Sequence, residues 1–337
     1  MLQSHHYAGL TPDVVLDAVE SAGLVPDGRL LALNSYENRV YRVGLEEPLH
    51  EVLPGSIPSQ VVAKFYRKGR WSDEQILEEH EFAAELAGAE LPVVAPLCID
   101  GATLHAHGGF RFALFPCRPG ASPDLDQPGA RELLGRTLGR LHAIGARRPF
   151  RYRDSIARWR HGARARELVL GLGIVPPPLD ERYAEVSAQL VQAIGEGIEA
   201  AGPVRRLRLH GDCHPGNILW QETGPLFVDF DDSIEGPAVQ DLWMFIAGPP
   251  EQMRREWSLL LEGYEQFAHL SDGEAWLIES LRAMRMLNHA AWIAQRWDDP
   301  AFPAAFPWFG EPRYWERHVD ELREQLAALD DPPLLRA

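Results

Sequence analysis

Between Leu207 and Asp232 the chain reads LRLHGDCHPGNILWQETGPLFVDFDD, and Asp212, Asn217 and Asp229 stand in it in an order that suits phosphoryl transfer. Moving a γ-phosphoryl group asks little covalent work of a protein: the metal-bridged phosphates must be held and the attacking hydroxyl oriented. Magnesium takes a few protein oxygens alongside waters and phosphate oxygens. Asn217 and Asp229 offer an amide oxygen and a carboxylate as metal ligands. Asp212, five residues before Asn217, is left to accept the hydroxyl proton and is the candidate base. Asp229 therefore counts as both catalytic and metal-binding.

These groups need elements to hold them. Leu207-Arg208-Leu209 and Ile218-Leu219-Trp220 read as short strands on either side of the loop, and Gly224-Pro225 turns the chain into Leu226-Phe227-Val228, with Asp229 at the strand end. Upstream, Lys64 sits inside the apolar run Val61 to Tyr66, where a charge is costly to bury unless it is paired. Ser72-Asp73-Glu74-Gln75 starts a helix with a capping box. On that helix Glu79 shares the face of Ile76, Ala83 and Leu86, so Glu79 is the expected partner of Lys64, with Glu78 as the fallback one residue away. Ahead of both, Leu31 to Val43 forms two strand-like pieces around Asn34 to Asn38, a hairpin without glycine. Thr11-Pro12-Asp13 opens a support helix that Gly23 ends. The apolar strand Phe110 to Phe115 stops at Pro116, where the domain boundary is placed.

Beyond it the pattern is helical. Glu132 to Ile144 is one helix, and its His142 reads as a satisfied core residue. The basic stretch Arg158 to Arg166 reads as a solvated helix face. Pro176 to Pro178 reads as a linker before a helix from Asp180 to Ala201. Gly236 to Trp243 is expected to start another helix, and further helices are expected over Glu251–Phe267, Glu274–Trp297 and Arg313–Leu329.

His210-Gly211-Asp212-Cys213-His214-Pro215-Gly216-Asn217 resembles the catalytic loop of the aminoglycoside phosphotransferase and choline kinase-like superfamily, relatives of the protein kinases. Val228-Asp229-Phe230-Asp231 resembles its second metal-binding segment. Asn34-Ser35-Tyr36-Glu37-Asn38, Lys64-Phe65-Tyr66-Arg67, the run from Gln75 to His80, GPAVQDLWM and DPAFPAAFPW add a likeness to the bacterial stress response kinases of that fold, spread over residues 31–309. The resemblance implies an α+β, bilobal protein-kinase-like fold: a small β-rich N-lobe over residues 1–116 and a larger, mostly helical C-lobe over 117–337. It further implies that the hairpin and Ser35 contact ATP, that Lys64 meets the phosphates and Glu79, and that backbone near Phe115 and Cys117 bonds adenine. Asp241 would brace the catalytic loop. The activity implied is a Mg2+- and ATP-dependent serine/threonine protein kinase, cytoplasmic, able to phosphorylate itself and tied to stress survival.

Three rival readings of the motif are weaker. His210, Cys213 and His214 are zinc-binding types, but they crowd five residues without a distant partner pair. Asp229 to Ser233 resembles the aspartyl nucleophile of haloacid dehalogenase-like phosphatases, yet that motif opens its domain and here comes late. Turn-capping alone does not account for four aspartates beside an apolar strand.

Composition narrows the partners. A net charge of −16 would repel nucleic acid and anionic membrane. No apolar run is long enough to span a bilayer, and the opening MLQSHHYAGLTPD lacks the basic start and apolar stretch of a signal peptide. Three scattered cysteines suit reduced thiols in a cytoplasm. Asp229 and Asp241 are only twelve positions apart, which leaves no room for the long segment on which protein kinases lay a peptide and favours a small hydroxyl acceptor. The stress-kinase likeness points to protein Ser/Thr instead. The small-molecule reading, an amino alcohol or related metabolite, stands as the alternative, and a nucleotide-binding scaffold without catalysis would have no need of the base.

Overall fold

The computed structural model describes residues 6–49 and 55–331, and only the backbone of 158, 159 and 161. Parts of the opening segment and of the basic stretch read above therefore lie outside the described residues. Thr11 accepts the Val14 N–H at 3.4 Å, Pro12 fills the first turn, and α1 (Pro12–Ser21) buries Val15, Ala18 and Val19 under the first sheet. That sheet is antiparallel, in the order β1 (Pro26–Leu33), β2 (Arg39–Leu45), β3 (Gln60–Phe65), β5 (Phe110–Pro116) and β4 (His105–His107). Register places Lys64 between Val40 and Ala113.

Between β3 and β4 runs α2 (Asp73–Gly88). Ser72 accepts the Gln75 N–H while the Gln75 side chain accepts the Ser72 N–H, a reciprocal cap that fixes the rotation of the helix. That rotation buries Ile76, Glu79, Phe82, Ala83 and Leu86 on one side.

The second part is built on α3 (Ala130–Gly145), α4 (Ala163–Leu172), α5 (Pro177–Ala201), α6 (Pro250–Tyr264), α7 (Asp272–Ala275), α8 (Leu277–Gln295), α9 (Ala301–Ala305) and α10 (Pro312–Ala328). Four short strands lie across it: β6 (Leu207–Leu209) pairs with β9 (Ile234–Gly236), and β7 (Ile218–Gln221) with β8 (Gly224–Phe227). The closest helix pair is α3 with α6, whose backbones touch because Gly263 faces the Glu132 carbonyl; a Cβ there would overlap that oxygen. The main core joins these helices to Phe82 and Leu86 of α2 and to Phe227 and Phe230 at the centre. Fold class is therefore α+β, as the sequence suggests.

Two expectations are corrected. Pro176 to Pro178 is no linker: Pro177 and Pro178 occupy the first turn of α5, where a missing N–H costs nothing. Gly236 to Trp243 does not form an α-helix but ends β9 and continues as two 3-10 turns, Ala238–Asp241 and Trp243–Phe245. There the Asp241 side chain faces inward onto backbone N–H groups.

Burial shapes the response to acid. His80 of α2 bonds Tyr66 Oη at 2.7 Å and Thr103 Oγ1 at 2.8 Å, and burial pulls its imidazole down to about 3; His318 of α10 is pulled down to about 4 by the same cause. Both folded-state values lie below the ordinary 6.5, so the stability they contribute is complete above that pH and lost as pH falls through it. The unfolding free energy from urea titration should thus fall between pH 7.5 and 5, by on the order of 2 kcal/mol per histidine. His80→Gln should flatten that slope; equal slopes in both proteins would contradict the assignment.

Candidate active site

The loop between β6 and β7 is held from below by one buried carboxylate. Asp241 accepts the His210 N–H at 2.8 Å and the Gly211 N–H at 2.9 Å. His142 of α3 meets the same Asp241 at 3.2 Å and the Tyr264 hydroxyl at 3.0 Å, so this core histidine positions the brace. Gly211 has φ +87°, and a Cβ would overlap the Asp232 carbonyl; only glycine fits. His210 donates through Nε2 to the Val228 carbonyl at 2.9 Å, tying the loop to the segment after β8.

Hydrogen bonds tie the segments that carry the three oxygen donors to this frame. Asn217 donates from Nδ2 to the Asp212 carbonyl at 2.9 Å, which leaves its amide oxygen for another partner. The Val228 N–H donates to the Asn217 carbonyl at 3.1 Å, which sets Asp229 beside them. Asp229 has a left-handed φ of 61°, and its side chain is 50% exposed. A non-glycine residue in that region is a strained placement of the kind found at functional sites. Among the described residues no three His, Cys, Asp or Glu side chains form a metal cage. His210, Cys213 and His214 do not gather on one point: Cys213 is buried, while His214 turns to Asp212 at 3.4 Å.

Lys64 is buried and reaches Asp229 at 2.8 Å, Asp231 at 3.3 Å and Glu79 at 3.8 Å. Burial alone would lower its pKa, but the three carboxylates hold it well above the usual lysine value. Burial pushes the Glu79 carboxyl up to about 7 against the pull of Lys64 and Arg153. Glu78 turns away and accepts the Tyr152 and Arg153 N–H groups, each at 2.8 Å. Of the two glutamates, Glu79 is thus the one beside Lys64.

Sequence reasoning missed four residues of this network. Arg153, wholly buried, donates to Glu79 at 2.9 Å, to the Asp231 carbonyl at 2.6 Å and to the Gln75 carbonyl at 2.8 Å, and lies over the Trp71 ring at 4.5 Å. Arg70 pairs with Asp231, and with Asp232 at 2.5 Å. Asn38 of the hairpin donates to Asp231 at 3.1 Å and accepts the Arg67 N–H at 3.2 Å. Arg285 of α8 places Nη1 at 2.5 Å from Asp212 Oδ1. Arg70 and Asn38 stand close to motifs already singled out, whereas nothing near Arg153 or Arg285 marks them in the sequence.

Asp212 itself is pulled two ways. Burial would raise its pKa, but His214 and Arg285 hold it below the usual carboxylate range. Ser35 is half-buried in the turn between β1 and β2. Two residues on, Glu37 accepts the Trp292 indole N–H at 2.6 Å and pairs with Arg296 at 2.7 Å, while Tyr36 meets the Phe306 ring at 4.9 Å. The hairpin is thereby fastened to α8 and the segment after α9. Phe115 is half-buried at the end of β5, and the Cys117 carbonyl accepts the Ile57 N–H at 2.8 Å, so an adenine edge would use other backbone groups of this segment.

The Phosphotransferase enzyme family matches residues 29–279. The serine/threonine protein kinase RdoA of Salmonella typhimurium is 41% identical over 325 residues, 96% of this chain and 95% of that protein. The stress response kinase A of Escherichia coli K12 is equally similar, at 41% with the same coverage. Among solved structures, the amicoumacin kinase hAmiN in complex with AMP-PNP, Ca2+ and Ami has a TM-score of 0.69 at 19% identity, covering 96% of this chain and 94% of that one. The microcompartment-associated aminopropanol kinase has a TM-score of 0.68 at 18% identity, covering 95% and 97%. At such identities the solved structures speak for the fold alone. The frame around Asp212, Asn217 and Asp229, the near full-length likeness to two kinases and the family match lead to one conclusion: this chain belongs to the phosphotransferase enzyme family.

Proposed function

We propose that this phosphotransferase is a Mg2+- and ATP-dependent kinase whose acceptor is a serine or threonine hydroxyl of a protein, itself included, with a role in stress response. The observation that carries it is the bridge from the Asn217 amide to the Asp212 carbonyl, which leaves the Asn217 amide oxygen without a protein donor, on a segment that the Val228 N–H ties to the exposed Asp229. One amide and one carboxylate suit a hard cation that takes most of its ligands from phosphates and water. Asn217 and Asp229 would hold magnesium, which supplies neutralisation of phosphate charge.

The remaining work belongs to the chain. Asp212 accepts the proton of the acceptor hydroxyl as the acceptor oxygen bonds to the γ-phosphorus, the bond to the β-phosphate oxygen breaks, and ADP leaves. Lys64, with its proton secured by carboxylates, meets the α and β phosphates, and Glu79 fixes its direction. Ser35 and the hairpin cover the phosphates, and backbone from Phe115 to Cys117 meets adenine. In this reading residues 1–116 form the nucleotide-covering lobe and 117–337 the catalytic lobe. Protein as acceptor is supported by the naming of the 41% identical relative as a serine/threonine protein kinase. The alternative, an amino alcohol or related metabolite, draws on the short Asp229–Asp241 spacing and on a solved neighbour called an aminopropanol kinase. No helix among the described residues is long and apolar enough to cross a membrane, and Cys98, Cys117 and Cys213 are free thiols, which suits a reducing cytoplasm.

Asp212→Asn should lose about 100- to 10,000-fold in kcat, the range of a general base, while binding ATP as before by calorimetry; full activity would end the base assignment. Asp229→Ala should abolish turnover at millimolar magnesium, and indifference to the metal concentration would undo its role. Purified protein with labelled ATP should label itself and a generic protein acceptor; label confined to added amino alcohols would favour the alternative.

A further inference from the structure

The guanidinium of Arg285 lies on the base. Its Nη1 is 2.5 Å from Asp212 Oδ1, yet its side chain is 41% exposed, so solvent reaches this guanidinium beside the base. Nearby arginines are differently placed: Arg282 of α8 pairs with Glu279 at 3.3 Å, and Arg296, just past the helix, with Glu37 at 2.7 Å. Among the described residues Arg285 has Asp212 as its one anionic partner. A guanidinium so close to the base sets a positive charge beside any hydroxyl that Asp212 receives. A cationic acceptor would bring a like charge against Arg285. An anionic group beside the hydroxyl would give the guanidinium a second partner in the planar, two-pronged geometry that it prefers.

We infer that Arg285 selects the acceptor by charge, favouring a serine or threonine flanked by aspartate or glutamate, whose carboxylate draws the guanidinium off Asp212 as the hydroxyl arrives. The choice of a protein acceptor rests on the reading above; the charge preference does not. Transfer then proceeds as written there, the hydroxyl proton passing to Asp212 as the γ-phosphorus changes oxygen and ADP departs. The chain's net charge of −16 disfavours acidic partners at long range, so the selection operates at contact.

The test is kcat/KM with magnesium and ATP for three serine peptides of one length, flanked by glutamate, glutamine or lysine, with ethanolamine and glycolate as small alcohols. The wild-type chain should favour the glutamate peptide over the lysine peptide by about tenfold or more, the effect of one contact-range charge. Arg285→Gln should bring that ratio close to one. Arg285→Glu should invert it, a gain for one substrate that misfolding cannot imitate. A wild-type enzyme indifferent to charge, or one that prefers lysine, overturns the inference. So does an Arg285→Gln variant that loses all three peptides equally and raises the KM for ATP, since Arg285 would then serve the nucleotide. If only the small alcohols are labelled, the protein-acceptor reading fails while the inference is still decided: glycolate over ethanolamine upholds it, and the reverse order overturns it. No transfer to any acceptor overturns both.

Discussion

An ammonium group with almost no solvent around it governs this architecture. Lys64 stands in the middle strand of an apolar sheet, and its charge is tolerable only because carboxylates from two other parts of the chain come to it. Removing one partner of such a buried group typically costs about 3–5 kcal/mol, far more than a surface ion pair. The sheet, α2 and the segment after β8 are therefore locked into one arrangement by electrostatics as much as by packing. Arg153 doubles the lock, since it spans the same glutamate and the Asp231 backbone.

The same knot explains why an acidic protein can serve an anionic substrate. Around Asp229, Asp231 and Asp232 the structure gathers Lys64 and Arg70, with Arg153 buried behind them, so the local field is far less negative than the chain as a whole. Asp229 and Asp232 present about half of their side chains to solvent, while Asp231 is buried and spent on Lys64 and Arg70. Two adjacent-looking acids in one motif thus have different duties. Burial separates them: Asp231 is enclosed by three cations and Asn38, and stays ionised by their pull.

Much of this was legible in the residues themselves. The capping box of α2 fixed which glutamate turns inward, because a reciprocal hydrogen bond sets helix rotation and the apolar stripe does the rest. The strand, loop, strand order around Asp212 could be read because short apolar triplets and Gly-Pro turns are local signals. Arg153 and Arg285 could not: each acts on a partner more than seventy positions away, and an arginine on a loop or helix carries no mark of its partner. The helix expected after Gly236 failed for a related reason. Its local propensity yielded to the demand that Asp241 reach two backbone N–H groups of a distant loop, which a 3-10 turn satisfies. The prolines before α5 misled because the same residue ends helices and begins them.

Two kinds of contact fasten the hairpin to distant parts of the chain. Glu37 holds Trp292 and Arg296, Tyr36 leans on Phe306, and Arg67 reaches Asp299 at 3.1 Å, all of them far along the chain. An outward swing of the strand tips would break charged contacts together with aromatic ones. Ionic strength weakens the first kind and strengthens the second, so the two halves of the clasp respond to salt in opposite directions. Attachment of the turn to the helices is thereby buffered against the salt content of the surroundings.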